Sequence, residues 1–128
     1  MNTILITGSS SGFGLETARH FLDQGWRVVA TMRQPRPGVL PASERLQIVS
    51  LDVTDATSIA RALDDAGPID ALVNNAGAGL LGTLEGLPID ATRELFSLNT
   101  FGTMAVTQRA LPGFRKQGSG VIVNVSSA

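Results

Sequence analysis

The residues best suited to chemistry come early. Thr7-Gly8-Ser9-Ser10-Ser11-Gly12-Phe13-Gly14 follows a short apolar run and leads straight into an amphipathic stretch. Glycines let a backbone come close to a ligand, and the amino end of a helix offers unpaired N–H groups and a positive dipole end to a pyrophosphate. The three serines add hydroxyl donors. The spacing is not G-x-G-x-x-G, and the chain contains no G-x-x-x-x-G-K-[ST], which disfavours a P-loop phosphotransferase. Taken alone, the octet also fits a merely flexible strand-to-helix connection. Two further places could touch a substrate. Asn99 lies inside a helical stretch, where Asn is an indifferent former and needs a reason, of which facing solvent is the plainest. Ser126 and Ser127 stand at the end of an apolar run, where they suit either substrate contact or a turn.

Composition narrows the classes. The 128 residues are 43% hydrophobic, enough for one buried core and too few for two ordinary domains, so a single domain over 1–128 is expected. Ten Lys and Arg against eleven Asp and Glu leave a formal net charge of −1. No overall field would draw in nucleic acid or an anionic membrane, and small molecules or proteins are the expected partners. With no cysteine and only His20, neither a disulfide, a thiolate nucleophile nor a metal site is expected. The opening apolar run Ile4-Leu5-Ile6 is cut by Thr7-Gly8, too soon for a signal-peptide core or a membrane span, so a cytoplasmic protein is expected.

These residues need a frame. Apolar, largely β-branched runs at 3–7, 27–31, 46–51, 71–74 and 120–126 do not alternate in polarity, as expected of strands buried on both faces. Between the first two, Leu15, Ala18, Phe21 and Leu22 recur at helical spacing over 12–24, with Gly25 as a stop. A second helix is expected over 55–66, capped by Thr54 or Asp55 and ended by Gly67-Pro68. The stretch 89–117 has helical composition, weakened by Gly102 and Pro112, with a kink expected near Pro112. The loop 34–43, with three prolines, reads as irregular. Alternating strands and helices predict an α/β fold: a Rossmann-type, doubly wound parallel sheet of about five strands, with ligands at the carboxyl ends of its strands.

In that register the motifs gain company. The TGxxxGxG octet, Asn74-Asn75-Ala76-Gly77 after the fourth strand, Asn99 on the long helix and the strand 121–127 running into Ser127 follow one another in order. Together they resemble the short-chain dehydrogenase/reductase family over essentially the whole chain. The related extended epimerases and reductases usually carry TGxxGxxG, which this glycine spacing does not fit.

The resemblance implies a cofactor site. Gly8, Ser10, Ser11, Gly12, Phe13 and Gly14 would hold the pyrophosphate. Asp52, followed by Val53, would accept from the adenine amino group, although Asp52 equally suits a carboxylate at the entry to the second helix. Asn74, Asn75, Ala76 and Gly77 would run behind the nicotinamide ribose, or form only a polar turn. In dinucleotide-binding folds an acid ending the second strand accepts from the ribose 2′-OH of NAD, whereas Arg there accommodates the 2′-phosphate of NADP. Here Met32 takes the acid's place and Arg33 follows, with Arg36 a little further on. NADP is therefore expected over NAD, with a solvated surface Arg as the other reading of Arg33.

The resemblance also implies hydride transfer between nicotinamide and an alcohol or ketone. Ser127 would orient the substrate oxygen and Asn99 would support a water-linked proton relay. The family's acid/base is the Tyr of a Tyr-x-x-x-Lys motif that would follow Ser127. These 128 residues contain no Tyr, and their one Lys, Lys116, reads as a solvated cation near a helix end. On this reading the family fold's C-terminal part is missing, and the chain by itself is inactive. One face of the long helix and one sheet edge should then be uncovered. A homo-oligomer is implied by resemblance alone. The competing reading is a non-catalytic nucleotide-binding or partner-binding module.

Overall fold

The structure, a computed structural model, describes residues 1–126. Its strands are β1 (Thr3–Ile6), β2 (Arg27–Met32), β3 (Leu46–Ser50), β4 (Ala71–Asn74) and β5 (Val121–Asn124). Its helices are α1 (Gly12–Asp23), α2 (Ala56–Ala66), α3 (Ile89–Phe96) and α4 (Gly102–Gln117), with a single 3-10 turn at Leu84–Gly86 and a π turn at Ser97–Phe101. All strand pairs are parallel, in the order β3-β2-β1-β4-β5. This is the expected Rossmann-type doubly wound sheet. Its order reverses between β1 and β4, which is where such sheets place ligands.

β-branched residues form these strands because their side chains pack well on a pleated surface buried on both sides. β1 shows the consequence. Ile4 and Ile6 point to one core with Ala18 and Leu22 of α1, while Leu5 points to the other with Ile59 of α2 and Val106 of α4. Every residue of β1 and β4 is buried. Asp55, not Thr54, caps α2: its Oδ1 accepts from the N–H groups of Thr57 (2.9 Å) and Ser58 (3.3 Å). The loop 34–43 is irregular, as expected, yet it is tied down, because Leu40 is buried in the core on the α1 side.

The stretch 89–117 is helical throughout, but its irregularity is not where Pro112 predicts. α4 runs through Pro112 to Gln117, and the departure from α-helical hydrogen bonding falls at Ser97–Phe101. Pro112 leaves the Gln108 carbonyl without its usual donor, and both residues are exposed, so water can replace it. Gly102 has a packing reason to be in a helix. A Cβ there would stand 2.6 Å from Val53 Cγ2, so glycine lets the start of α4 press onto the loop after β3.

β5 departs from the expectation of strands buried on both faces. It pairs only with β4 among the described residues, and Val121, Val123 and Val125 are exposed. Ile89, Phe96, Phe101 and Met104 of the α3–α4 stretch are exposed too. Uncovered apolar surface thus lies where the resemblance places it. Among the described residues no helix is long and apolar enough to cross a membrane, and no cluster of His, Cys, Asp and Glu could hold a metal.

Candidate cofactor cleft

The cleft forms where the turn after β1 meets the turn after β4. Thr7, buried at the carboxyl end of β1, ties the two together. Its Oγ1 accepts from the N–H groups of both Asn75 and Ala76, each at 2.9 Å. The Asn75 amide returns the contact, donating to the carbonyls of Thr7 (3.2 Å) and Gly8 (3.0 Å). Asn75 therefore spends its donors holding the glycine turn, so its contribution to a cofactor is to brace that turn.

Glycine is required in the turn for two different reasons. Gly8 and Gly12 have φ of 66° and 57°, which side chains rarely adopt. Gly14 is buried in contact with the turn itself, and a Cβ there would collide with the Gly8 carbonyl oxygen. On the outer side, by contrast, nothing lies within 4 Å of a Cβ built on Gly12. Ser11 stands at the amino end of α1 with no side-chain cap. The first N–H groups of α1 thus open toward the cleft, together with the accessible Ser10 and Ser11. This arrangement suits a pyrophosphate, so the residues present fit a dinucleotide. The expectation of three serine donors needs correction: Ser9 is fully buried, and its hydroxyl donates inward to the Ile6 carbonyl at 2.9 Å. Phe13 is 80% exposed, so its side chain stands clear of the core and only the backbone needs to face the phosphates.

Arg33 follows buried Met32 and is exposed, its carbonyl accepting from Ser50 Oγ at 3.2 Å. Asp52 is engaged locally: its Oδ1 accepts from the Thr54 hydroxyl (2.6 Å) and the Thr54 N–H (2.9 Å). The hydroxyl, then the N–H, hold its carboxyl below the usual 3.8, with help from the Arg33 guanidinium and against a small effect of burial. The local role open to Asp52 from sequence is thus real, although it braces Thr54 and does not cap α2. The Val53 side chain is buried beneath Gly102, which leaves only its backbone for a ligand.

Asn99 does not simply face solvent. It sits in the π turn, and its amide clamps one backbone unit of the loop after β4: Oδ1 accepts from the Ala78 N–H (2.9 Å) and Nδ2 donates to the Ala78 carbonyl (2.7 Å). Gly77 passes close by, where a Cβ would stand 3.0 Å from Asn99 Oδ1. Single π turns of this kind recur at functional sites. Ser126 lines the same cleft with Gly8, Ser10, Gly77 and Asn99, and the space between them is about 720 Å³, within the range of small-molecule sites. Ser127 lies outside the described residues.

Sequence reasoning missed the polar knot beneath the cleft. Asn74 is buried, and its Nδ2 donates to Thr107 Oγ1 (3.0 Å) on α4 and to Asn124 Oδ1 (2.9 Å) on β5. Asn74 and Asn124 are register partners, each ending its strand. An Asn closing two successive apolar runs was the available signal. Lys116 belongs elsewhere. It lies in the last turn of α4, beside Gln117, whose side chain donates to the Ile69 carbonyl ahead of β4 at the amino ends of the strands.

A parallel sheet with a glycine turn at its reversal point defines a Rossmann-type nucleotide-binding unit. Sequence comparison carries this further, because the short chain dehydrogenase family matches residues 2–128. The chain belongs to the short-chain dehydrogenase family. Retinol dehydrogenase 8 of Bos taurus is 41% identical over 137 residues, covering 98% of this chain and 44% of that protein. A short-chain dehydrogenase from Streptomyces avermitilis superposes with a TM-score of 0.91 at 38% identity, covering 99% of this chain and 50% of that one. The closed form of a serine dehydrogenase complexed with NADP+ gives 0.90 at 29% identity, over 98% and 54%. The chain thus spans about half the length of these relatives.

Proposed function

We propose that the protein is an NADP-dependent oxidoreductase of this family that interconverts an alcohol and a carbonyl compound. The glycine turn carries the reading: its inner side is closed by Gly14 and Asn75, and its outer side is open at Gly12 over the amino end of α1. Gly8, Ser10, Ser11, Gly12, Phe13 and Gly14 hold the pyrophosphate, and Asp52 and the Val53 backbone meet the adenine. Ala76 and Gly77, braced by Asn75, back the nicotinamide ribose. Arg33 takes the 2′-phosphate, supported by its exposure and by the lack of an acid at Met32. The serine dehydrogenase complex with NADP+ lends the same support. When bound, the cofactor supplies or accepts the hydride. Ser127 orients the substrate oxygen, and Asn99 fixes the loop behind the reacting centre. Named relatives act on substrates as different as retinol and serine, so the substrate class stays at alcohol and carbonyl compound. The same reading includes a cytoplasmic protein that self-associates, the latter supported by the exposed Phe96, Phe101 and Met104.

A second reading, a nucleotide-binding module without catalysis, is favoured by one observation: these residues include no Tyr, and Lys116 lies at the wrong end of the sheet. The test is NADPH oxidation by the purified protein with a panel of ketones and aldehydes, alongside NADPH binding and intact mass. Carbonyl-dependent oxidation that Ser127→Ala removes supports the enzyme. Tight NADPH binding without any oxidation, at a mass equal to these 128 residues, leaves the module and the inactive isolated chain.

A further inference from the structure

The cleft beside the glycine turn is short of free polar groups. None of the described residues that line it is charged. Its amide side chains are already engaged: Asn75 commits its donors to the glycine turn, and Asn99 holds the N–H and the carbonyl of Ala78. Thr103 Oγ1 donates to the Asn99 carbonyl at 3.0 Å. With Ser10 and Ser11 assigned to the pyrophosphate, Ser126 is the remaining hydroxyl among the described lining residues.

The mouth of the cleft, by contrast, is apolar. Phe13 on the glycine turn and Val125 just past β5 line it with exposed side chains. Gly79 lines it too, and from there the chain runs directly into Leu80 and Leu81. Leu81 is 99% exposed and Leu84 92%, and none of the three leucines joins either core. No residue from Ala71 to Leu84 is charged. The segment is held at both ends. Asn99 clamps Ala78 before it; after it the Thr83 carbonyl accepts from the N–H groups of Gly86 and Leu87, both at 3.1 Å, and Gly82 lies against the Leu87 side chain. Leucines held out to water on a braced loop contribute nothing to the core, and an exposed apolar patch of this kind marks a contact surface.

We propose that the substrate is a neutral, largely apolar alcohol or carbonyl compound, with its oxygen on the Ser126 side of the cleft and its hydrocarbon part on Leu80 and Leu81. The proposal rests on the oxidoreductase reading above and narrows its substrate class. A charged substrate would leave water without a partner, because the described lining residues offer no ion of opposite sign. A polyol would need several free donors and acceptors, and the side chains that could supply them are engaged on backbone. A hydrocarbon chain needs only apolar surface with which to leave water.

Titration of the NADPH-bound protein with butanol, hexanol and octanol, followed by methyl NMR, tests this without turnover. Affinity should rise about threefold for each added methylene, and the hydroxy acid of hexanol's length should bind at least about tenfold more weakly than hexanol. The shifted methyls should be those of Leu80 and Leu81. Leu81→Asn alters an exposed side chain outside the core; it should weaken octanol about tenfold and leave NADPH within about twofold. No alcohol binding at all, affinity independent of chain length, equal binding of the hydroxy acid, octanol binding unaltered in Leu81→Asn, or methyl shifts confined to Val121 and Val123 would each overturn the proposal. With NADPH bound, the oxidoreductase reading would survive any of these. Absence of NADPH binding would end that reading, and the proposal with it.

Discussion

At the scale of single residues, the cleft is assembled by side chains that bond to backbone on a neighbouring segment. Asn75 shows this most clearly. Its amide spans the turns after β1 and β4, and removing it leaves the Thr7 and Gly8 carbonyls without those donors. Asn75→Ala should cost about 1–3 kcal/mol of stability, measured by denaturant unfolding, and should weaken NADPH and NADH equally. Asp52 offers a pH test. Because Thr54 holds its folded-state pKa below the ordinary 3.8, the stability it contributes is complete above that value and fades as the pH falls through the lower folded value. In Thr54→Val the Asp52 pKa should move up toward the ordinary value, as read by carboxyl carbon-13 titration, so that less stability is lost as the pH falls. Residue types in the TGxxxGxG and NNAG motifs were legible from sequence. Their directions were not, because whether Ser9 turns inward or Asn75 reaches back depends on which distant strand lies alongside.

At the scale of elements, all five strands and the helices α1 and α2 were legible, since buried parallel strands need β-branched runs and their crossover helices need one apolar face. Boundaries differed by a residue or two, as at β1, which ends at Ile6 and leaves Thr7 to the turn that follows. The π turn was not legible. Ser97–Phe101 has no local pattern that separates a widened turn from an α-helical one, and Pro112 was the more conspicuous irregularity. Asn99 in mid-helix was the one hint. We expect the π turn and the loop after β4 to stabilise each other through Ala78. In Asn99→Ala the Ala78 amide should exchange hydrogen markedly faster, seen by NMR, while amides of β1 and β4 keep their protection. Unchanged exchange at Ala78 would break that link.

At the scale of the whole molecule, apolar surface is concentrated along β5 and the α3–α4 stretch. Val121 and Val123 are exposed on β5, an edge strand among the described residues, and Val125 is exposed just past its end, an arrangement that invites pairing with another chain. These 126 described residues should therefore self-associate with rising concentration, and Val123→Lys should reduce that association in sedimentation velocity. At the other end of the sheet, the proposed function has the glycine turn seat a dinucleotide and Arg33 select its 2′-phosphate. Its most direct test is to measure the dissociation constants of NADPH and NADH for the same protein by calorimetry at one ionic strength. Both should bind, NADPH at least about tenfold more tightly. Equal affinity, or tighter binding of NADH, would contradict it.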